Sequence, residues 1–196
     1  MSLKGSETNA DPLLWNEAVY LYKQLIIEGK YRLAIMVMLG IYTGLRIGDI
    51  RSLTWDDILH TSTIQEQKSQ KLKSLILPKH IQITIQDCYE YLGSPKITQK
   101  FLLSQKNLVF TIQRLNVIMK EWKEKYNLTI NNISTHSLRK TMAVKLLSMF
   151  DDKIEGLKIV QGALNHTSLD ATLHYLGIPQ ADYTKWQLTG HKICIQ

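Results

Sequence analysis

The stretch that decides the fold is residues 133–177, ISTHSLRKTMAVKLLSMFDDKIEGLKIVQGALNHTSLDATLHYLG. Leu138, Met142, Leu146 and Met149 recur at three- and four-residue steps, which is the period of an amphipathic helix. Ser134 and Thr135 stand immediately before that run, and both residue types favour the N-cap, so a helix is predicted to open here. His136 and Arg139 then fall three residues apart on one face of its first turn. At that end backbone N–H groups point outward and the macrodipole is positive, so the pair marks a prospective phosphate site. Further along come Asn165, His166 and, nine residues after His166, Tyr175.

Outward from this stretch, helical periodicity prevails. Residues 11–28 are amphipathic, with Leu14, Val19, Tyr22, Leu25 and Ile26 at helical spacing. Residues 31–42, YRLAIMVMLGIY, are apolar nearly all round, the pattern of a helix buried at the centre of a domain. Thr43-Gly44 breaks that helix, and RIGDIRSLTW reads as a short helix with Arg46 and Asp49 one turn apart and able to touch. Between residues 55 and 85 the period changes. Two β-favouring runs, 61–65 and 74–77, flank the polar turn EQKSQKLK, and Pro78 closes the second. They predict a hairpin, or a three-stranded edge sheet if Asp56-Asp57-Ile58 adds a strand. Residues 80–92 read as a helix, and Ile112, Leu115, Ile118, Trp122 and Tyr126 form the stripe of another. Residues 154–164 and 168–176 predict two short helices, and Pro179 begins a tail. The expected class is mainly α with a small antiparallel β-sheet (α+β).

Composition sets the outer limits. A chain of 196 residues with 44% hydrophobic content suits a single domain around one core. Residues 1–10 are read as a scar or linker remnant and residues 11–196 as the domain. A net charge of +7 favours a polyanionic partner. The two cysteines, Cys88 and Cys194, have no metal-like spacing and form no disulfide framework, so a reducing, cytoplasmic setting is expected. No apolar run is long enough to span a bilayer and no signal peptide is present, so a soluble protein is expected.

The string HSLRKT, then LNHTSLDATLHYLG with its nine-residue spacing, resembles the C-terminal signature of the tyrosine recombinases, the phage integrase family. A third block agrees: Tyr42-Thr43-Gly44-Leu45-Arg46-Ile47-Gly48-Asp49 is similar to the family's first-arginine motif, with an acidic residue three positions after the arginine. Three motifs in order and at the right spacing are specific where one alone is weak. The resemblance implies a catalytic domain that cuts and rejoins double-stranded DNA through a covalent 3′-phosphotyrosyl link. It implies no metal or nucleotide cofactor, no small-molecule substrate and no membrane partner. It further implies a bacterial protein, nucleoid-associated when acting, whose full-length form self-associates into a synaptic tetramer. Family members carry an N-terminal DNA-clamping domain for which the chain has no room, and residues 179–196, with Tyr183, Trp186 and Leu188, either dock on a neighbouring protomer or fold back in cis.

The residues suit that chemistry. A phosphorane transition state gathers charge on its non-bridging oxygens, and a guanidinium meets two of them with a planar fork of donors. Of five arginines in the chain, Arg46 and Arg139 fall at the two family positions. Tyr175 is the candidate nucleophile; a phenol with pKa about 10 needs a base or an electropositive pocket at neutral pH. By the resemblance His136 and His166 line that pocket, their division of roles open. The family's general acid is a lysine on the hairpin turn, which makes Lys68 the choice, with Lys71 and Lys73 in the same turn. Asp49 is expected to brace Arg46. Asn165 stands where the family usually has glycine, a position asparagine tolerates because it accepts left-handed backbone. His60, His80, His174 and His191 lack motif support and are expected at the surface. Two other readings share the pocket: a type IB topoisomerase-like nicking-closing enzyme, and a catalytically inactive DNA-binding module of the same fold.

Overall fold

The structure, a computed structural model, describes residues 10–188. Helix α1 (Trp15–Ile27) leads into α2 (Tyr31–Thr43), whose residues from Ala34 to Ile41 are all buried. The apolar-all-round sequence thus ends up as the core helix, with α1 packed along it. Short helices α3 (Ile47–Ser52) and α4 (Trp55–His60) follow. Strands β1 (Thr63–Gln65) and β2 (Leu72–Ser74) form one antiparallel hairpin, Ile64 opposite Lys73. Then come α5 (Lys79–Tyr91), α6 (Ile112–Lys125), α7 (Thr135–Ser148), α8 (Lys153–Ala163), α9 (Leu169–Leu176) and α10 (Gln180–Leu188).

Three expectations need correcting. Asp56-Asp57-Ile58 is helical, not a third strand: the Thr54 hydroxyl accepts from Asp57 N–H at 3.2 Å while the Asp57 carboxylate accepts from Thr54 N–H at 2.7 Å, a reciprocal cap that starts α4. The second strand ends at Ser74, and Leu75 and Leu77 are buried in the connection beyond it. In α7 the stripe is buried only at Leu138 and Met142; Met149 is the C-cap and is 70% exposed.

The tail segment described here, α10, lies against α8 of its own chain with Tyr183 and Trp186 half-buried. Cys88 sits in the core on α5, and Cys194 and His191 lie outside the described residues. Among the described residues no helix is long and apolar enough to cross a membrane.

Two glycines place α2 against α7. A side chain at residue 40 would overlap Leu138, so Gly40 lets the two helices close together there. Gly44 ends α2 in the left-handed region at φ +63° and turns the chain into Arg46. A methyl group at Gly44 would also collide with Met142. Gly44→Ala is therefore expected to destabilise the domain by at least the ~1–2 kcal/mol of a left-handed non-glycine residue, read as a lowered urea midpoint with unchanged m-value. An unchanged midpoint would show that this turn does not require glycine.

Candidate active site

Arg46 occupies the N-cap of α3, directly after the left-handed turn at Gly44, and Arg139 lies one turn into α7. Helix α7 opens with a box in which Ser134 accepts from His136 N–H at 3.2 Å and Ser137 Oγ accepts from Ser134 N–H at 3.0 Å. The Arg139 side chain is almost wholly buried. It donates through Nη1 to the Gly44 carbonyl and through Nη2 to the Leu164 carbonyl at 2.6 Å. Both arginines face one carboxylate that the sequence did not suggest. Glu66 Oε1 is 2.9 Å from Arg46 Nη1 and 3.8 Å from Arg139 Nη1, and Glu66 is fully buried. The Arg46 contact is a close charge pair whose N–H directions miss the oxygen, so it is no formal hydrogen bond. Asp49, expected to brace Arg46, accepts from Gln67 N–H at 2.9 Å through Oδ1 and makes no ion pair with Arg46 among the described residues, although the charge of Arg46 acts on it. Burial pushes its carboxyl above the usual range.

The hairpin is fastened over this pair. Glu66 Oε2 accepts from Ser69 Oγ at 2.6 Å and from Asn165 Nδ2 at 2.9 Å. Asn165 has φ +53°, the left-handed backbone that asparagine tolerates. Strand β2 reverses the usual alternation: Lys73 is buried, within the influence of Arg139 and Glu66, while Leu72 is 74% exposed. Lys73 Nζ donates to the Ala163 carbonyl at the end of α8. Burial, and next Arg139, push its ammonium down to about 8. Lys68 and Lys71 are exposed on the turn, and the charge of Lys68 reaches His136.

Both histidines sit below their ordinary value. For His136 burial comes first, then Arg139, Arg46 and Lys68; for His166 burial and the same two arginines push the imidazole down to about 4. His166 Nδ1 lies 3.1 Å from Thr172 Oγ1, and its ring meets that of Tyr175 edge-on at 5.3 Å. Tyr175 packs against Met142, Ala143, Val160 and Leu164, with Lys140 Nζ 5.9 Å from its ring centre. Its hydroxyl is buried, near enough to the Arg139 guanidinium to feel it but without a well-aligned hydrogen bond among the described residues. Burial raises the phenol to about 12, against the opposing pull of Arg139 and Arg46. The arrangement gathers a phenol, two imidazoles and two guanidiniums at one place on the surface of α7, with a lysine-bearing turn beside them.

Arg46, Arg139, His136, His166 and Tyr175 therefore share one electrostatic neighbourhood, and Lys68 stands at its edge. Glu66 and Lys73 belong to it as well. The motif reading named neither as a site residue, since their partners lie at residues 46, 139 and 163, far from any local pattern. His60, His80 and His174 are exposed; His60 pairs with Asp56 at 2.9 Å. Among the described residues no group of three or more His, Cys, Asp or Glu side chains is placed to hold a metal ion.

Comparison with known proteins places the geometry in a family. The model of the phage integrase family matches residues 13–180. A curated relative from Bacillus subtilis (strain 168), "Probable integrase/recombinase YoeC", is 27% identical over 173 residues, covering 86% of this chain and 90% of its own. Among solved structures, XerA recombinase superposes with a TM-score of 0.70 at 19% identity, covering all of this chain and 68% of that one. XerH site-specific recombinase bound to difH substrate gives a TM-score of 0.62 at 18% identity, covering 89% of this chain and 52% of that one. The order of the three motifs, the convergence of their side chains and a family match over most of the length agree: the chain belongs to the phage integrase family.

Proposed function

We propose that the chain is the catalytic domain of a site-specific DNA recombinase, cleaving and rejoining double-stranded DNA through a 3′-phosphotyrosyl intermediate. The observation that carries this reading is the convergence of Arg46 and Arg139 on one point, with the Tyr175 hydroxyl buried beside the second of them. XerH bound to difH and a lambda integrase dimer bound to a core site are DNA complexes of the same fold, which supports DNA as the partner and self-association on it. The action is assigned to the bacterial cytoplasm, on chromosomal or mobile-element DNA.

In this mechanism Arg46 and Arg139 hold the non-bridging oxygens of one phosphodiester and stabilise the charge that grows on them. Tyr175 Oη attacks phosphorus, its proton passing to a neutral imidazole, for which His136 is assigned. The P–O5′ bond breaks as Lys68 delivers a proton to the departing oxygen, leaving a free 5′-hydroxyl and the 3′-phosphotyrosine. Rejoining is the reverse sequence. The free-protein phenol is neutral at pH 7, since burial raises it to about 12, so its attack needs a base to take the proton. His166 is assigned to a phosphate oxygen. Lys73 is the second candidate for the acid, because it is buried beside Arg139 with its ammonium down at about 8.

Nicked duplexes with a randomised core, incubated with the protein and resolved under denaturing conditions, are expected to give a covalent protein–DNA band that Tyr175→Phe abolishes. A band of equal strength in that variant would remove Tyr175 from the reaction. Arg46→Lys, which keeps the charge and loses the fork, is expected to slow band formation by ~10²–10³-fold, the effect of losing one preorganised donor. Lys68→Met is expected to be slow on ordinary DNA and restored by sulfur at the 5′-bridging position, because a thiolate leaves without a proton. If Lys73→Met behaves that way instead, the acid is Lys73.

Acidity gives a separate check. Both histidines are held below their unfolded value of about 6.5, so between that value and about 4 the unfolded chain binds more protons at His166 than the folded one. Stability present above the unfolded value is lost as pH falls through this window. The melting temperature is expected to drop further between pH 7 and pH 5 for the parent than for His166→Gln, the carboxylates being common to both. Parallel curves would show that His166 is not held neutral.

A further inference from the structure

Glu66 takes no part in the proton transfers above, yet it is the fully buried side chain at which the whole site meets. Its two oxygens have separate tasks. Oε1 faces the guanidiniums of Arg46 and Arg139 at 2.9 and 3.8 Å, and Oε2 accepts from Ser69 and Asn165 at 2.6 and 2.9 Å. Its backbone begins the turn that carries Lys68: Glu66 N–H donates to the Lys71 carbonyl at 3.0 Å, and the Glu66 carbonyl accepts from Gln70 N–H at 2.9 Å. Ser69, the residue after Lys68, is thereby tied to the same carboxylate as the arginines.

Exposure says which side of Arg46 the carboxylate occupies. The Arg46 side chain is 24% exposed, whereas Glu66 has no exposure at all, so Glu66 stands behind the guanidinium and leaves its solvent side open. Two guanidiniums brought together repel, and a buried charge without its partner is costly. One fixed anion behind both relieves the repulsion and sets their relative orientation; Asp49 also feels both arginines but forms no ion pair with either among the described residues, its Oδ1 accepting from Gln67 N–H.

We infer that Glu66 is a positioning residue for strand cleavage, whose single carboxylate fixes the two arginines and the Lys68 turn in register before DNA arrives. This rests on the recombinase reading above. Loss of register by about an ångström costs ~10²-fold, and loss of a supporting contact to a site ligand ~10–100-fold. The charge of Glu66 also opposes DNA, so its removal separates binding from rate.

The experiment compares the full chain with Glu66→Gln and Glu66→Asp. Three readouts are taken: folded fraction by circular dichroism, affinity for a duplex recovered from the randomised pool by fluorescence anisotropy, and the single-turnover rate of the covalent band. Glu66→Gln is expected to be folded, to bind the duplex as tightly as the parent or tighter, and to form the band ~10–100-fold more slowly; Glu66→Asp, which restores the charge with a shorter reach, is expected to recover part of the rate. A rate within twofold of the parent, or a loss matched by equal loss of folding or affinity, would overturn the inference. The ¹⁵N Nε–Hε signals of Arg46 and Arg139 give a readout that needs no activity: they are expected to be sharp in the parent and to broaden or merge in Glu66→Gln. If the parent forms no covalent band on any duplex, the recombinase reading fails. The arginine signals then decide the register claim alone, and unchanged signals in Glu66→Gln overturn it.

Discussion

Arg139 is the constraint on which the rest of the site depends. Its guanidinium is buried, and a buried cation is tolerated only where its donors are taken up and its charge is balanced. Here the donors go to the carbonyls of Gly44 and Leu164, and the charge is offset by Glu66. Those acceptors belong to the end of α2, the end of α8 and the hairpin, so one side chain joins the three segments that carry Arg46, His166 and Lys68. The approach of α7 to α2 that makes this possible is itself set by Gly40, where any larger residue would meet Leu138.

The electrostatic consequences run through every titratable group nearby. Two imidazoles are kept neutral by burial and by the arginines, and the phenol is kept protonated by burial against the pull of those same cations. These are the groups that the proposed mechanism casts as base and nucleophile, and each of them feels both cations.

Much of this was legible in the sequence, and the reasons are physical. Residues 31–42 read as a core helix because they are apolar nearly all round, and Ser134 and Thr135 before an apolar-periodic run mark the opening of α7. Asparagine at 165 could be accepted in a left-handed position without an alignment, and the backbone there has φ +53°. The failures have separate causes. Asp56-Asp57-Ile58 was weighed as a strand when Thr54 and Asp57 already spelled a helix cap. Strand β2 defeats a hydrophobic reading because Lys73 is buried, within the influence of Arg139 and Glu66, and Leu72 turns out. Glu66 is hidden because all but one of its partners are distant: Ser69 is local, but residues 46, 139 and 165 come to it only in the folded chain.

Cations placed at the carbonyl ends of helices neutralise the negative pole of each. Arg139 does this at the end of α2 and, with Lys73, at the end of α8. Arg139 and Lys73, part of the candidate site, are thus also the stoppers of two helices, so the site and the closing of those helix ends depend on the same side chains. A descendant that drifted away from activity by losing Arg139 would surrender foldedness along with chemistry, and selection for solubility alone would resist that drift.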